Sequence, residues 1–130
     1  MMMNLLVDEN AMRLFTDENW IRLRKALESR GFSFHKLPMT MHGHSDSELM
    51  MYIIQNNLDG IITEDNDFVE TNRYALFNDL MRHNKEIYLV RRVPSTSLRY
   101  ELRLYRYANR RKQFVLTIKP DGTVSSDPNY

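Results

Sequence analysis

Four aspartates have the type and placement to do chemistry in this chain: Asp8 in LLVDEN, Asp46 in HSDSEL, and Asp65 and Asp67 in ITEDNDF. Like charges repel, so carboxylates that share a pocket call for a cation among them. Hard divalent ions take oxygen ligands, and Mg²⁺ keeps several waters beside a few carboxylates. The 130 residues contain no cysteine, which excludes thiolate zinc sites, cysteine nucleophiles and disulfides. Mg²⁺ or Mn²⁺ is therefore the expected cofactor. Such an ion orients and acidifies a water and offsets charge building on phosphoryl oxygens, which is phosphodiester chemistry. No side-chain nucleophile is required, and none stands out.

These acids lie far apart in sequence, so secondary structure must gather them. NLLV (4–7) reads as a buried strand ending at Asp8, and DGIIT (59–63) as a second that leads to Asp65 and Asp67. Ser45 can cap a helix running to about Asn57, with Leu49, Met50, Ile53 and Ile54 inward and Asp46 in its first turn. If the two strands are parallel neighbours, a right-handed crossover brings all four acids to the carboxyl edge of one sheet. Glu48 stands about 200° round the helix from Asp46. Asp46 is thus preferred to Glu48, which stays an outer neighbour; Glu9, Asn10 and Thr63 adjoin the ends of the two strands. Each acid also has an ordinary reading, as a turn cap, a solvated loop residue or a helix-dipole partner.

The remaining elements follow from pattern. Thr16 can cap a helix carrying Trp20, Leu23 and Leu27, ended by Gly31. FSFHKL (32–37) is a strand stopped by Pro38, residues 68–83 a helix with Phe77, Leu80 and Met81 inward, and EIYLV (86–90) and FVLTIK (114–119) are strands. Residues 95–111 are ambiguous: LRYELRL alternates like a strand, but its helix formers and Ser95 or Ser97 as caps favour a helix. The resulting β-α-β-α-β-α-β-α-β order predicts one α/β domain over 1–125, a three-layer sandwich with a mainly parallel central sheet, and a loose tail at 126–130.

Charge is divided between the halves. Residues 1–70 hold 6 Lys/Arg and 12 Asp/Glu, whereas residues 71–130 hold 12 and 5. On a helix, Arg99, Arg103, Arg106 and Arg110 form one face, with Arg91 and Arg92 nearby. Such a row can track a phosphate backbone. A solvated helix face, or halves that neutralise each other, explains the same residues.

LLVDEN, SDSEL and ITEDNDF together resemble the short PIN-like domains of the DUF5615 type, relatives of the PIN-domain ribonuclease toxins of VapBC-type modules. The likeness extends to the later strand, the Arg-rich RRVPSTS turn, a helix after it, and the closing strand and turn. It implies a PIN-like fold and metal-dependent cleavage of RNA, with Asp8, Asp46, Asp65 and Asp67 as catalytic metal ligands. It also implies that an antitoxin protein could cover the acidic edge and that the chain could pair as a homodimer, since dimers are common in the proteins it resembles. The HGHSD approach to the second helix departs from that pattern, and His42 and His44 either join the site or belong to an exposed loop.

Two other functions fit parts of the sequence. A phosphoacceptor receiver domain also begins with an apolar strand running into acids, but IYLVRRVPS offers an Arg pair where that chemistry uses a Lys. A PIN-like module that binds protein or nucleic acid without cutting it is the other. No apolar run approaches the roughly 18 residues of a membrane span, and the start lacks a basic n-region. With no cysteine used, the cytoplasm is the expected location.

Overall fold

The structure, a computed structural model, describes residues 2–41, 43–65, 74–95, 99–109 and 111–126. The chain opens with strand β1 (Met3–Val7), a 3-10 segment (Glu9–Phe15), helix α1 (Glu18–Glu28) and strand β2 (Phe32–Lys36). A short 3-10 turn (Met39–Met41) leads to α2 (Asp46–Gln55) and β3 (Gly60–Thr63), followed by α3 (Tyr74–Arg82). Four strands complete it: β4 (Glu86–Pro94), β5 (Tyr100–Ala108), β6 (Arg111–Ile118) and β7 (Val124–Ser126).

Among the described residues, seven strands join one sheet in the order β2-β1-β3-β4-β5-β6-β7. The first three pairings are parallel and the last three antiparallel. This overturns the expected PIN-like three-layer sandwich. Among the described residues, twelve pairs are parallel and eighteen antiparallel, so the sheet is mixed and mostly antiparallel, curled into a half-barrel. The cause is local. EIYLV does not stop at Val90 but continues through RRVP, and residues 100–108 pair with it as a strand instead of forming a helix.

Side chains alternate across a strand, and two apolar clusters occupy the two faces. On one, Leu5, Val7, Ile62, Tyr88, Val90, Leu102 and Leu104 pack against Trp20, Leu23 and Leu27 of α1. On the other, Leu6, Ile61 and Ile87 pack against Leu49, Met50 and Ile53 of α2 and Leu76 and Leu80 of α3. Asp17, not Thr16, caps α1: its carboxylate accepts from Asn19 N at 3.0 Å. A register shift opposite Leu104/Tyr105 leaves Val115 as the extra residue of a bulge, so Val115 and Leu116 both join the α1-side core.

Gly60 starts β3 for a steric reason. A Cβ there would lie 2.0 Å from the carbonyl oxygen of Glu86 on β4. Only glycine lets the two backbones come this close. Ser126, expected in a loose tail, pairs with Leu116 as the end of β7. Among the described residues, no helix is long and apolar enough to cross a membrane.

Candidate functional site

β1 and β3 are parallel neighbours, with Val7 beside Ile62. Their carboxyl ends therefore point the same way, and Asp8 N continues the ladder by donating to Ile62 O at 2.9 Å. Alternation places Asp8 and Thr63 on the α2 side of the sheet, two residues beyond the apolar positions Leu6 and Ile61.

Asp8 is only 3% exposed, and a buried carboxylate needs donors around it. Thr63 Oγ1 donates to Asp8 Oδ2 at 2.7 Å, and Glu9 N donates to Asp8 Oδ1 at 3.0 Å. The same Thr63 hydroxyl lies 3.1 Å from Asn10 Oδ1 and accepts from Asp65 N at 3.0 Å. One hydroxyl thus ties together Asp8, Asn10 and the backbone of Asp65. Thr63 is itself fully buried, so this link is shielded from water.

Asp46 arrives from α2. Ser45 caps that helix, its hydroxyl accepting from Glu48 N at 3.3 Å while it donates to Glu48 Oε1 at 3.2 Å. Glu48 also pairs with His44 and stands exposed, turned to its own helix end. Asp46 shares with Asp8 a cleft of about 360 Å³, bordered by Glu9, Asn10, Leu37, Met41, His44 and Leu49. Glu9 Oε2 accepts from Gly43 N at 3.2 Å and so fastens the loop to the cleft rim.

Asp8 and Asp46 are therefore brought to one cavity, with Asp65 joined through its backbone to the same threonine. Asp67 and His42 lie outside the described residues. Among the described residues, no three His, Asp or Glu side chains gather closely enough to hold an ion between them. The oxygen donors suit a hard divalent cation. Two of the expected ligands, Asp8 and Asp46, line the cavity directly.

Sequence reasoning counts Glu64 among the clustered acids but gives it no role. It turns to the opposite face, where it pairs with Arg13 and accepts from Arg92 Nε at 2.8 Å. Burial pushes its carboxyl above the ordinary value, with the Arg13 guanidinium pulling the other way. The acid run in ITEDND was the available signal, but alternation after β3 is needed to see that Glu64 and Asp65 part company.

The expected arginine face does not form. β5 is a strand, so Arg103 and Arg106 point to opposite sides. Arg106 makes a two-pronged pair with Glu86, Nε to Oε1 and Nη2 to Oε2 both at 2.7 Å. Arg103 bonds Glu101 through Nε and Nη2 at 2.9 and 2.6 Å. Arg92, opposite Leu102, faces α1, whereas Arg91 lies directly opposite Arg103. Arg99 borders a separate hollow with Asp17 and Asp121, and Arg110 lies outside the described residues.

Comparison with protein-family models, with curated proteins and with solved structures finds no match to this chain.

Proposed function

We propose that this protein is a divalent-metal-dependent ribonuclease that hydrolyses RNA phosphodiester bonds at the cleft shared by Asp8 and Asp46. The observation that supports this most is a buried carboxylate at the end of a central parallel strand, opening onto the same cavity as a second carboxylate from a helix start. RNA as substrate comes from the likeness of LLVDEN, SDSEL and ITEDNDF to PIN-like nucleases, a likeness of motifs and not of overall architecture.

Asp8, Asp46, Asp65 and Asp67 would hold Mg²⁺ or Mn²⁺, which supplies water activation and charge neutralisation at the phosphate. Thr63 fixes the rotamer of Asp8 and the path of the chain at Asp65, which preorganises ligands before any ion arrives. Asn10 and Glu9 give the rim polar groups for water or a ribose hydroxyl. Leu37, Met41 and Leu49 form an apolar wall that limits water on the far side.

The other reading is a module that binds nucleic acid without cutting it. Labelled single-stranded RNA separates the two when incubated with Mn²⁺ or Mg²⁺, with and without EDTA. Cleavage that needs the ion and disappears in Asp8→Asn and Asp46→Asn supports the nuclease. Retained RNA with no cutting under any of these conditions refutes it and leaves the binding module.

A further inference from the structure

The antiparallel half of the sheet is covered on one side by α1, whose Leu23 and Leu27 pack in one cluster with Leu102, Leu104, Leu116 and Ile118. Its other side is chemically different. α3 reaches the edge of that side, where Phe77 meets Tyr107 with ring centroids 5.7 Å apart. Beyond that edge stand Tyr105 on β5 and Phe114 on β6, directly paired across the strands. Both are only half-buried, and neither is packed into the two apolar clusters. Their rings contact each other edge-on, at 6.1 Å and 67°.

Cations surround these rings. Lys112 is exposed and sets its Nζ 4.5 Å from the Tyr105 ring centroid. Arg103, on the same side as Tyr105, has a side chain 42% exposed. It faces Arg91 directly across the β4–β5 ladder. Glu101 pairs with Arg103 on this same face. A pair of half-open aromatic rings among cations on a sheet face has the two elements that bind unpaired nucleotides: π-faces for bases and positive charge for the phosphates between them.

The geometry points to a single-stranded polynucleotide as the occupant of this face, with bases stacked on Tyr105 and Phe114 and phosphates drawn to Arg103 and Lys112. The inference does not rest on cleavage. It needs neither the aspartates nor an ion, so it is tested in EDTA.

The probe is a fluorescein-labelled single-stranded RNA of about a dozen nucleotides, followed by anisotropy at low salt with EDTA present. The wild-type chain binds it. Tyr105→Ala with Phe114→Ala weakens binding by at least about five-fold per ring removed. Lys112→Gln, an exposed change that leaves the fold alone, lowers the salt slope of binding by about one. Ultraviolet crosslinking of an iodouridine-bearing RNA to the wild-type chain, with peptide mapping, places adducts at Tyr105 or Phe114. Melting curves check that each variant stays folded. The inference is overturned if the chain does not bind in EDTA, if a folded Tyr105→Ala/Phe114→Ala variant binds as well as wild type, or if a duplex of the same sequence binds equally tightly. It is also overturned if adducts map elsewhere, or if this face proves in sedimentation to be the contact between two copies of the chain.

Discussion

The two halves of the sheet solve the problem of burial differently. In the parallel half, helices lie on both faces, so β1 and β3 are apolar on either side and only their ends remain for polar chemistry. That is where Asp8 and Thr63 sit. In the antiparallel half, α1 covers one face and the strands alternate, leaving Arg103, Tyr105 and Phe114 on the other. A two-sided core confines chemistry to strand ends, whereas a one-sided core leaves part of the other face half-open. Glu86 and Arg106 join the halves across β4 and β5.

Substitutions can test this contrast, beginning with the largest effect. Ile61→Ala removes a fully buried side chain from the centre of the parallel half and should cost about 2–5 kcal/mol in urea unfolding. Gly60→Ala forces a methyl group into the Glu86 carbonyl, and overpacking of this kind costs about 1–3 kcal/mol; a variant as stable as wild type would refute the close approach of β3 and β4. At the junction, Arg106→Ala should lose about 1–2 kcal/mol, the scale of charge-assisted hydrogen bonds at a partly buried site. Tyr105→Ala should cost at most about 1 kcal/mol, because its ring lies on the half-open face. Equal losses for Ile61→Ala and Tyr105→Ala would erase the distinction between the halves.

The junction also gives a pH signature. Burial raises the Glu86 carboxyl, but hydrogen bonds from Arg106 and Tyr88 outweigh it and hold the group below its ordinary value of 4.5. A carboxyl depressed on folding stabilises the protein fully above its unfolded value, and that contribution is lost as pH falls through the folded value. Wild type should therefore lose stability relative to Glu86→Gln as pH drops below 4.5. Parallel denaturation curves for the two proteins across that range would contradict the pairing.

The parallel half was legible because its signals are strong and local. NLLV and DGIIT are short runs with apolar centres, Ser45 with Glu48 marks a helix start, and Asp8 and Asp65 follow parallel neighbouring strands at one edge by topology. The antiparallel half was not legible in the same way. LRYELRLYRYA alternates, but Leu, Arg, Glu and Ala also favour helix, and such propensities amount to tenths of a kcal/mol per residue. Pairing with a β4 that runs on through Arg91–Pro94 decides the matter, and nothing within residues 100–108 announces that partner. The same misreading turned alternating arginines into one continuous face. Within the acidic cleft, the strand ends were foreseeable, while the Thr63 hydroxyl bridge depends on a side-chain rotamer that sequence does not specify.

The central claim is that the Asp8–Asp46 cleft takes a divalent ion. Calorimetric titration of the folded chain with Mn²⁺ tests it most directly. The account predicts saturable binding that is lost in Asp8→Asn and in Asp46→Asn, with a stabilisation of about 2.7 kcal/mol at 100-fold excess over the dissociation constant. Absence of binding in the wild-type chain, or binding unchanged in both variants, would contradict it.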